Sequence, residues 1–263
     1  MNPLSFIYNE ILYYPLFNLM VFFYNVIPGQ DIGVAIIMVT LLVRFVLYPM
    51  NSKSIKSQRA MQAIQPEMKA IQKKYKEDKE KQAKELMALY QRRKVNPFSG
   101  CVPLLVQFPV LIALYHVFIN GFKEESLAIL YPFVSNPGYL NPISFGIINL
   151  SETNLCLALI AASLQYFQTK MLMGQKKNKE DGDKNEEENK EKTAEEKTQD
   201  FAQSMTKQMI YIMPVLTFVF AMSFPSGLAL YWAVTTLFAI VQQRIIMRKK
   251  KNQDQEQEVE VVK

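Results

Sequence analysis

Arg44 is the residue whose chemistry sets this chain apart: it lies in the apolar run from Gly33 to Met50, where nothing else is charged. An ionised side chain near a bilayer centre costs about 2.5–3.5 kcal/mol on insertion scales, so its presence demands a reason. With 33–49 as one helix, Arg44 lies past the middle by about 4.5 Å. Two readings stay open. The side chain snorkels to nearby headgroups, or its guanidinium faces a wet cavity inside a helix bundle, where it attracts an acidic or polar group arriving from the cytoplasm. Gln107, Tyr115, Gln165 and Trp232 also sit in apolar runs and could line that cavity. No Asp or Glu lies in the runs to neutralise Arg44, which argues against a proton relay or an ion-coupled carrier.

Other chemistry is scarce. Two Cys make neither a disulfide scaffold nor a four-ligand zinc site, and His116 is the only imidazole. There is no Gly-rich phosphate loop, no nucleophile elbow and no nucleophile–base pair within the apolar runs. No enzymatic activity, cofactor or metal is expected. Residues 1–30 hold no Lys, Arg or Cys, so neither a basic leader nor a lipid-acceptor thiol is expected there.

The elements that must position Arg44 follow from the charge distribution. The chain has 263 residues, with 30 Lys plus Arg and 24 Asp plus Glu. Eighteen of these charges fall in 53–94, 17 in 175–200 and 9 in 248–263, leaving ten for the other 179 residues. A soluble domain carries roughly 25% charged residues throughout, so a soluble globule is excluded. Apolar runs of about 17–25 residues span a bilayer as helices. Spans are expected at 31–52, 101–120 and 153–173, the last rich in small residues at Ala158, Ala161, Ala162 and Ser163 that permit close helix contact. The run 209–243 is too long for one span. Phe224-Pro225-Ser226-Gly227 divides it into 209–224 and 227–243. Residues 6–27, with Asn9, Glu10, Asn18, Asn25 and four tyrosines, read as an interfacial helix within an N-terminal segment 1–30, with an extra span as the alternative.

Placing the end of 31–52 in the cytoplasm puts 28 of the 30 basic residues on that side, with Lys123 outside and Arg44 in the membrane. The N-terminal segment and a loop at 121–152 are then outside, and the tail 244–263 is cytoplasmic. Cys101 and Cys156 start from opposite faces, beyond disulfide reach, and read as packing residues. Met61, Ile64, Met68, Ile71 and Tyr75, then Leu86, Leu89 and Tyr90, carry helical spacing, so 53–94 is a cytoplasmic helical hairpin with a kink at Pro66 and a cap at Asp78. Residues 174–207 form a charged flexible loop. Arg248 to Lys251 read as a topogenic anchor, with no specific nucleic-acid role. The fold class is an all-α membrane protein: a five-transmembrane-helix bundle with a cytoplasmic hairpin.

The chain resembles the YidC/Oxa/Alb family of membrane protein insertases in a short bacterial form, over nearly its whole length. The resemblance is carried by Leu41-Leu42-Val43-Arg44-Phe45-Val46-Leu47-Tyr48-Pro49, Ala60-Met61-Gln62-Ala63-Ile64-Gln65-Pro66-Glu67-Met68, Val95-Asn96-Pro97-Phe98-Ser99-Gly100-Cys101, Val106-Gln107-Phe108-Pro109 and Phe224-Pro225-Ser226-Gly227-Leu228-Ala229-Leu230-Tyr231-Trp232. It implies a multi-pass protein of the bacterial cell (plasma) membrane whose five helices enclose a hydrophilic groove, open to cytoplasm and lipid and closed outside. Arg44 would attract the hydrophilic end of an incoming protein, with Gln107 and Trp232 at groove positions and 53–94 receiving substrates. Nascent membrane proteins are the implied clients, and the Sec translocon and ribosome further partners. No large extracytoplasmic domain is expected, and little of the long basic tail that aids ribosome docking in some members. A small channel or carrier that passes anions by Arg44 is the alternative from another class.

Overall fold

The computed structural model describes residues 3–96, 102–173 and 211–261. The described residues are mostly helical. Helix α1 (Pro3–Tyr8) continues through a π-helical stretch (Asn9–Tyr13) into α2 (Tyr14–Val26). Then come α3 (Ile32–Val46), α4 (Tyr48–Ala63), α5 (Gln65–Lys74), α6 (Lys79–Arg92), α7 (Val102–Asn120) and α8 (Leu155–Met173). Helices α9 (Tyr211–Ser223) and α10 (Ser226–Val261) close the chain. Between α7 and α8 lie a 3-10 helix (Glu124–Ile129) and two short antiparallel strands, β1 (Ile143–Ser144) and β2 (Ile148–Asn149), registered Ile143 to Asn149 and Ser144 to Ile148.

Among the described residues, three stretches are long and apolar enough to cross a membrane: Ser5–Val26, Leu155–Leu172 and Ser226–Arg248. The bent pair α3 and α4 makes a fourth if it is one span, while Leu105–Asn120 and Tyr211–Ser223 are apolar but shorter. These helices leave large apolar side chains such as Phe45, Val46, Leu105, Phe167 and Val215 exposed, as a lipid-facing surface would. This is a helical membrane protein.

One local expectation needs correction, and two helices add detail to expected spans. Within the expected span 31–52, α3 stops at Val46 and α4 leaves it at 65°. Pro49 sits in the first turn of α4, where it has no N–H for the Phe45 carbonyl and its ring would clash with it. Helix α10 runs on past the expected span 227–243, because 244–261 contain neither Gly nor Pro and many good helix formers. Cys156 is exposed, not packed, since α8 buries Leu157, Ala158 and Ala161 instead. Cys101 and all of the expected loop 174–207 lie outside the described residues.

The chain forms two compact units, one of Met1–Phe17, Leu41–Val117 and Val241–Lys263, the other of Asn18–Thr40 and Phe118–Ile240. In the first, Ile64, Leu89 and Val95 form a small core covered by Ala60, Met61, Met68, Ile71 and Tyr90, which closes the hairpin. Asp78 caps α6 by accepting from the Lys81 N–H at 2.9 Å, as expected. Arg93 donates twice to Glu67, from Nη2 at 2.6 Å and Nε at 3.2 Å, tying α6 to α5. In the second unit, the Asn18 side chain donates to the Ile129 carbonyl at 3.1 Å and accepts from the Tyr131 N–H at 2.6 Å. Asn25 donates to the Ser135 carbonyl at 2.6 Å. The asparagines that interrupt the N-terminal apolar run thus satisfy the backbone of the segment after α7.

Candidate functional site

The break at Leu47 decides where Arg44 sits. It occupies the last turn of α3, nearer the helix end than a span of 33–49 would place it, and it is half-buried. Its Nη2 donates to Gln107 Oε1 at 2.9 Å. Gln107 is half-buried in α7, five residues from that helix's start, or about 7.5 Å along its axis. Both groups therefore lie within two turns of a helix end. An amide acceptor satisfies one guanidinium N–H while leaving the positive charge in place, which a carboxylate would not.

The other predicted residues are placed differently. Tyr115 is on α7, eight residues beyond Gln107 and so about 12 Å farther along the axis. Gln165 and Trp232 are half-buried in α8 and α10 and belong to the other unit. Gln165 Nε2 donates to Thr169 Oγ1 at 3.3 Å, and the Thr169 hydroxyl donates back to the Gln165 carbonyl at 2.9 Å. Among the five residues predicted, Arg44 and Gln107 are joined by a direct hydrogen bond.

Two features escaped the sequence reading. His116 has a partner: the Tyr8 hydroxyl lies 2.7 Å from its Nδ1, and the Tyr8 and Tyr13 rings stand edge-on to the imidazole. The pairing joins residues 108 positions apart, and no spacing rule signals it. The second is a polar seam behind the elbow. Gln242 Nε2 donates to the Tyr48 carbonyl at 3.0 Å and to Ser52 Oγ at 2.9 Å, clamping the start of α4 to α10. Asn51, Ser54 and Gln243 are buried beside these residues in sequence, and Asn51 Nδ2 and Gln243 Nε2 have no hydrogen-bond partner. A buried, unpaired amide is costly. The seam's signal was present as polar residues ending an apolar run, which reads equally well as the plain end of a span.

Among the described residues no group of three His, Cys, Asp or Glu comes together as a metal site. The family model described as 60Kd inner membrane protein matches residues 22–254. The chain belongs to the 60Kd inner membrane protein family. Similar members include Membrane protein insertase YidC 1 of Halalkalibacterium halodurans, 36% identical over 91% of this chain and 79% of that protein. Membrane protein insertase YidC 2 of Bacillus anthracis is 32% identical over 91% of this chain and 81% of its own length. Membrane protein insertase MisCA of Bacillus subtilis is 30% identical over 91% and 78%. Family membership agrees with the resemblance to the YidC/Oxa/Alb insertases.

Proposed function

We propose that this chain is a membrane protein insertase and folding aid of the bacterial plasma membrane, in which Arg44 receives the hydrophilic end of a client from the cytoplasm while the client's apolar spans partition into lipid. The observation that carries the site is the half-buried Arg44–Gln107 pair near the ends of two apolar helices. The relatives' names support the class of activity. A translocated polar segment loses hydration on entering a bilayer. A fixed positive charge in a partly hydrated groove offsets part of that loss, because a hydrogen bond to a charged group is worth about 1.5–3 kcal/mol. Five spans, at 31–52, 101–120, 153–173, 209–224 and 227–243, would enclose the groove, with Gln165, Tyr115 and Trp232 as further lining and the hairpin 53–94 as the receiving element. Nascent membrane proteins are the clients; a Sec translocon and a ribosome are secondary partners.

The N-terminal helix lies in the membrane interface on the outer side. Although Ser5–Val26 is long enough to span, Asn18, Tyr24 and Asn25 hydrogen-bond to Ile129, Tyr131, Ser135 and Asn141. These partners all lie in the segment after α7. A helix standing upright would spread Asn18 and Asn25 over about 10 Å of depth.

The test is insertion of a small single- or double-spanning protein into liposomes that hold only this chain. Arg44→Ala should slow insertion of clients with acidic translocated ends roughly tenfold or more, the equivalent of about 1.4 kcal/mol. Arg44→Lys should retain part of the rate, since it keeps the charge but loses the planar fork. Equal rates for wild type and Arg44→Ala would overturn the assignment. Anion flux through the same liposomes without client would favour a channel instead.

A further inference from the structure

The segment between α7 and α8 holds no charged residue from 126 to 151, an unusual run for a connection outside the spans. Near its end, β1 and β2 present a tight turn made of Phe145, Gly146 and Ile147. Phe145 and Gly146 both have positive φ, at 53° and 72°, and the Ile147 N–H donates to the Ser144 carbonyl at 3.2 Å. Two successive left-handed residues are what a hairpin turn with matching twist requires, yet Asn-Gly or Asp-Gly is the usual choice. A bulky aromatic residue in this region is uncommon and must be imposed by its surroundings.

Those surroundings are built. The Asp31 carboxylate accepts from the Ser144 hydroxyl and the Phe145 N–H on the turn, and from the Gly33 and Val34 N–H groups, at 2.8 and 3.0 Å, on α3. Gly33 is required: a Cβ there would overlap Ser144 Oγ, and Ser144 is fully buried. On the other side, Ser226 Oγ donates to the Asn149 carbonyl at 2.9 Å, and the Gly227 N–H donates to the Leu150 carbonyl at 3.0 Å. One edge of the turn is thus stapled to the first turn of α3 and the other to the first turn of α10. What this frame holds out is apolar: Ile147 is 85% exposed, Phe145 50% and Ile143 48%.

We propose that the Phe145–Ile147 turn dips into the membrane interface on the side of the α3 and α10 N-termini, with Asp31 and Ser226 fixing its depth. The occupant of the apolar tip is lipid. Its staples hold it at the level where two apolar helices begin, so it is continuous with their lipid-facing surfaces, and apolar and aromatic side chains at that level are favoured. Three side chains are too few for a second copy of the chain, since a stable interface takes about 20–30 residues a side. The assignment to the outer leaflet rests on the topology proposed above; the dipping itself does not.

The experiment uses the full chain carrying Cys101→Ser and Cys156→Ala, with a nitroxide on Ile147→Cys or, separately, on Phe145→Cys. Met87→Cys in the hairpin, an exposed position, is the water-facing reference. In vesicles of phosphatidylcholine and phosphatidylglycerol, collisions with oxygen relative to a water-soluble nickel chelate should be several-fold more frequent at Ile147 and Phe145 than at Met87. Chelate access at both turn positions equal to that at Met87 would overturn the proposal, because the turn would then stand in water. Shielding from oxygen and chelate alike would also overturn it, pointing to a protein occupant. A membrane-impermeant maleimide on Asn136→Cys reads the side separately, so a wrong topology is distinguished from a wrong depth.

Discussion

At the scale of single residues, two charges are held in contrasting ways. Arg44 donates to a neutral amide, so under the role proposed for it a carboxylate in place of Gln107 should act as a resident client. Gln107→Glu is expected to slow insertion of acidic-ended clients roughly tenfold, and Gln107→Leu less, with neutral-ended clients nearly indifferent to both; insertion rates in proteoliposomes check this. Asp31 is the opposite case. Its carboxylate oxygens accept from the Ser144 hydroxyl and from the Phe145, Gly33 and Val34 N–H groups. Asp31→Ala should therefore destabilise the protein by about 2–4 kcal/mol, from a lost cap and lost charge-assisted bonds, read from the thermal midpoint. Arg44 was legible in the sequence because a lone charge in an apolar run is expensive wherever the run folds. The roles of Asp31 and Ser144 were not, because their bond joins residues 113 positions apart and neither residue type is unusual at a helix start or in a loop.

Elements were legible where local chemistry decides them. Asp78, Pro66 and the spacing of Ile64, Met68, Leu86 and Leu89 mark the hairpin without help from the rest of the fold, and the Pro225-Ser226-Gly227 turn marks the start of α10. The elbow at Leu47 was not read, although Pro49 carries its signal, because an apolar run through Met50 outweighs one proline in any count of span length. Gln242 explains how the elbow is held: it bonds a carbonyl and a hydroxyl on the first turn and a half of α4. Gln242→Leu keeps the volume and removes both bonds. Each is worth about 0.5–1.5 kcal/mol, so a loss of about 1–3 kcal/mol is expected, read from the denaturation midpoint in detergent. The hairpin should be separable from the membrane part, since its core of Ile64, Leu89 and Val95 is covered by residues of α4, α5 and α6. Deleting 60–90 should leave the spans protected from external protease while client insertion is abolished or strongly reduced. Intact insertion by a well-expressed deletion would make the hairpin dispensable.

For the whole molecule the question is where the energy comes from. Under the proposed insertase role, apolar burial of the client, chain elongation and the membrane potential are sources that need no bound nucleotide. In the proposed topology 28 of the 30 basic residues lie on the cytoplasmic side, the orientation the positive-inside rule favours, and a client would pass its polar ends the other way. A translocated acidic end moves toward the positive outer side and gains about 2.3 kcal/mol per charge per 100 mV if it crosses the whole field. A groove that hydrates part of the thickness lets the field fall over a shorter stretch without changing that total, so each added client carboxylate should steepen the dependence on potential. In proteoliposomes with an imposed potassium gradient and valinomycin, insertion of a client with two acidic residues in its translocated end should therefore fall several-fold when the potential is collapsed. A client with a neutral end should change little, and added ATP should affect neither. In Arg44→Ala the potential dependence of the acidic client should persist while its rate drops at every potential, because the arginine holds the arriving end and the field moves it. Loss of the potential dependence together with the arginine would mean that Arg44 sits at the point where the field is dropped, and that the residue does the moving as well as the holding.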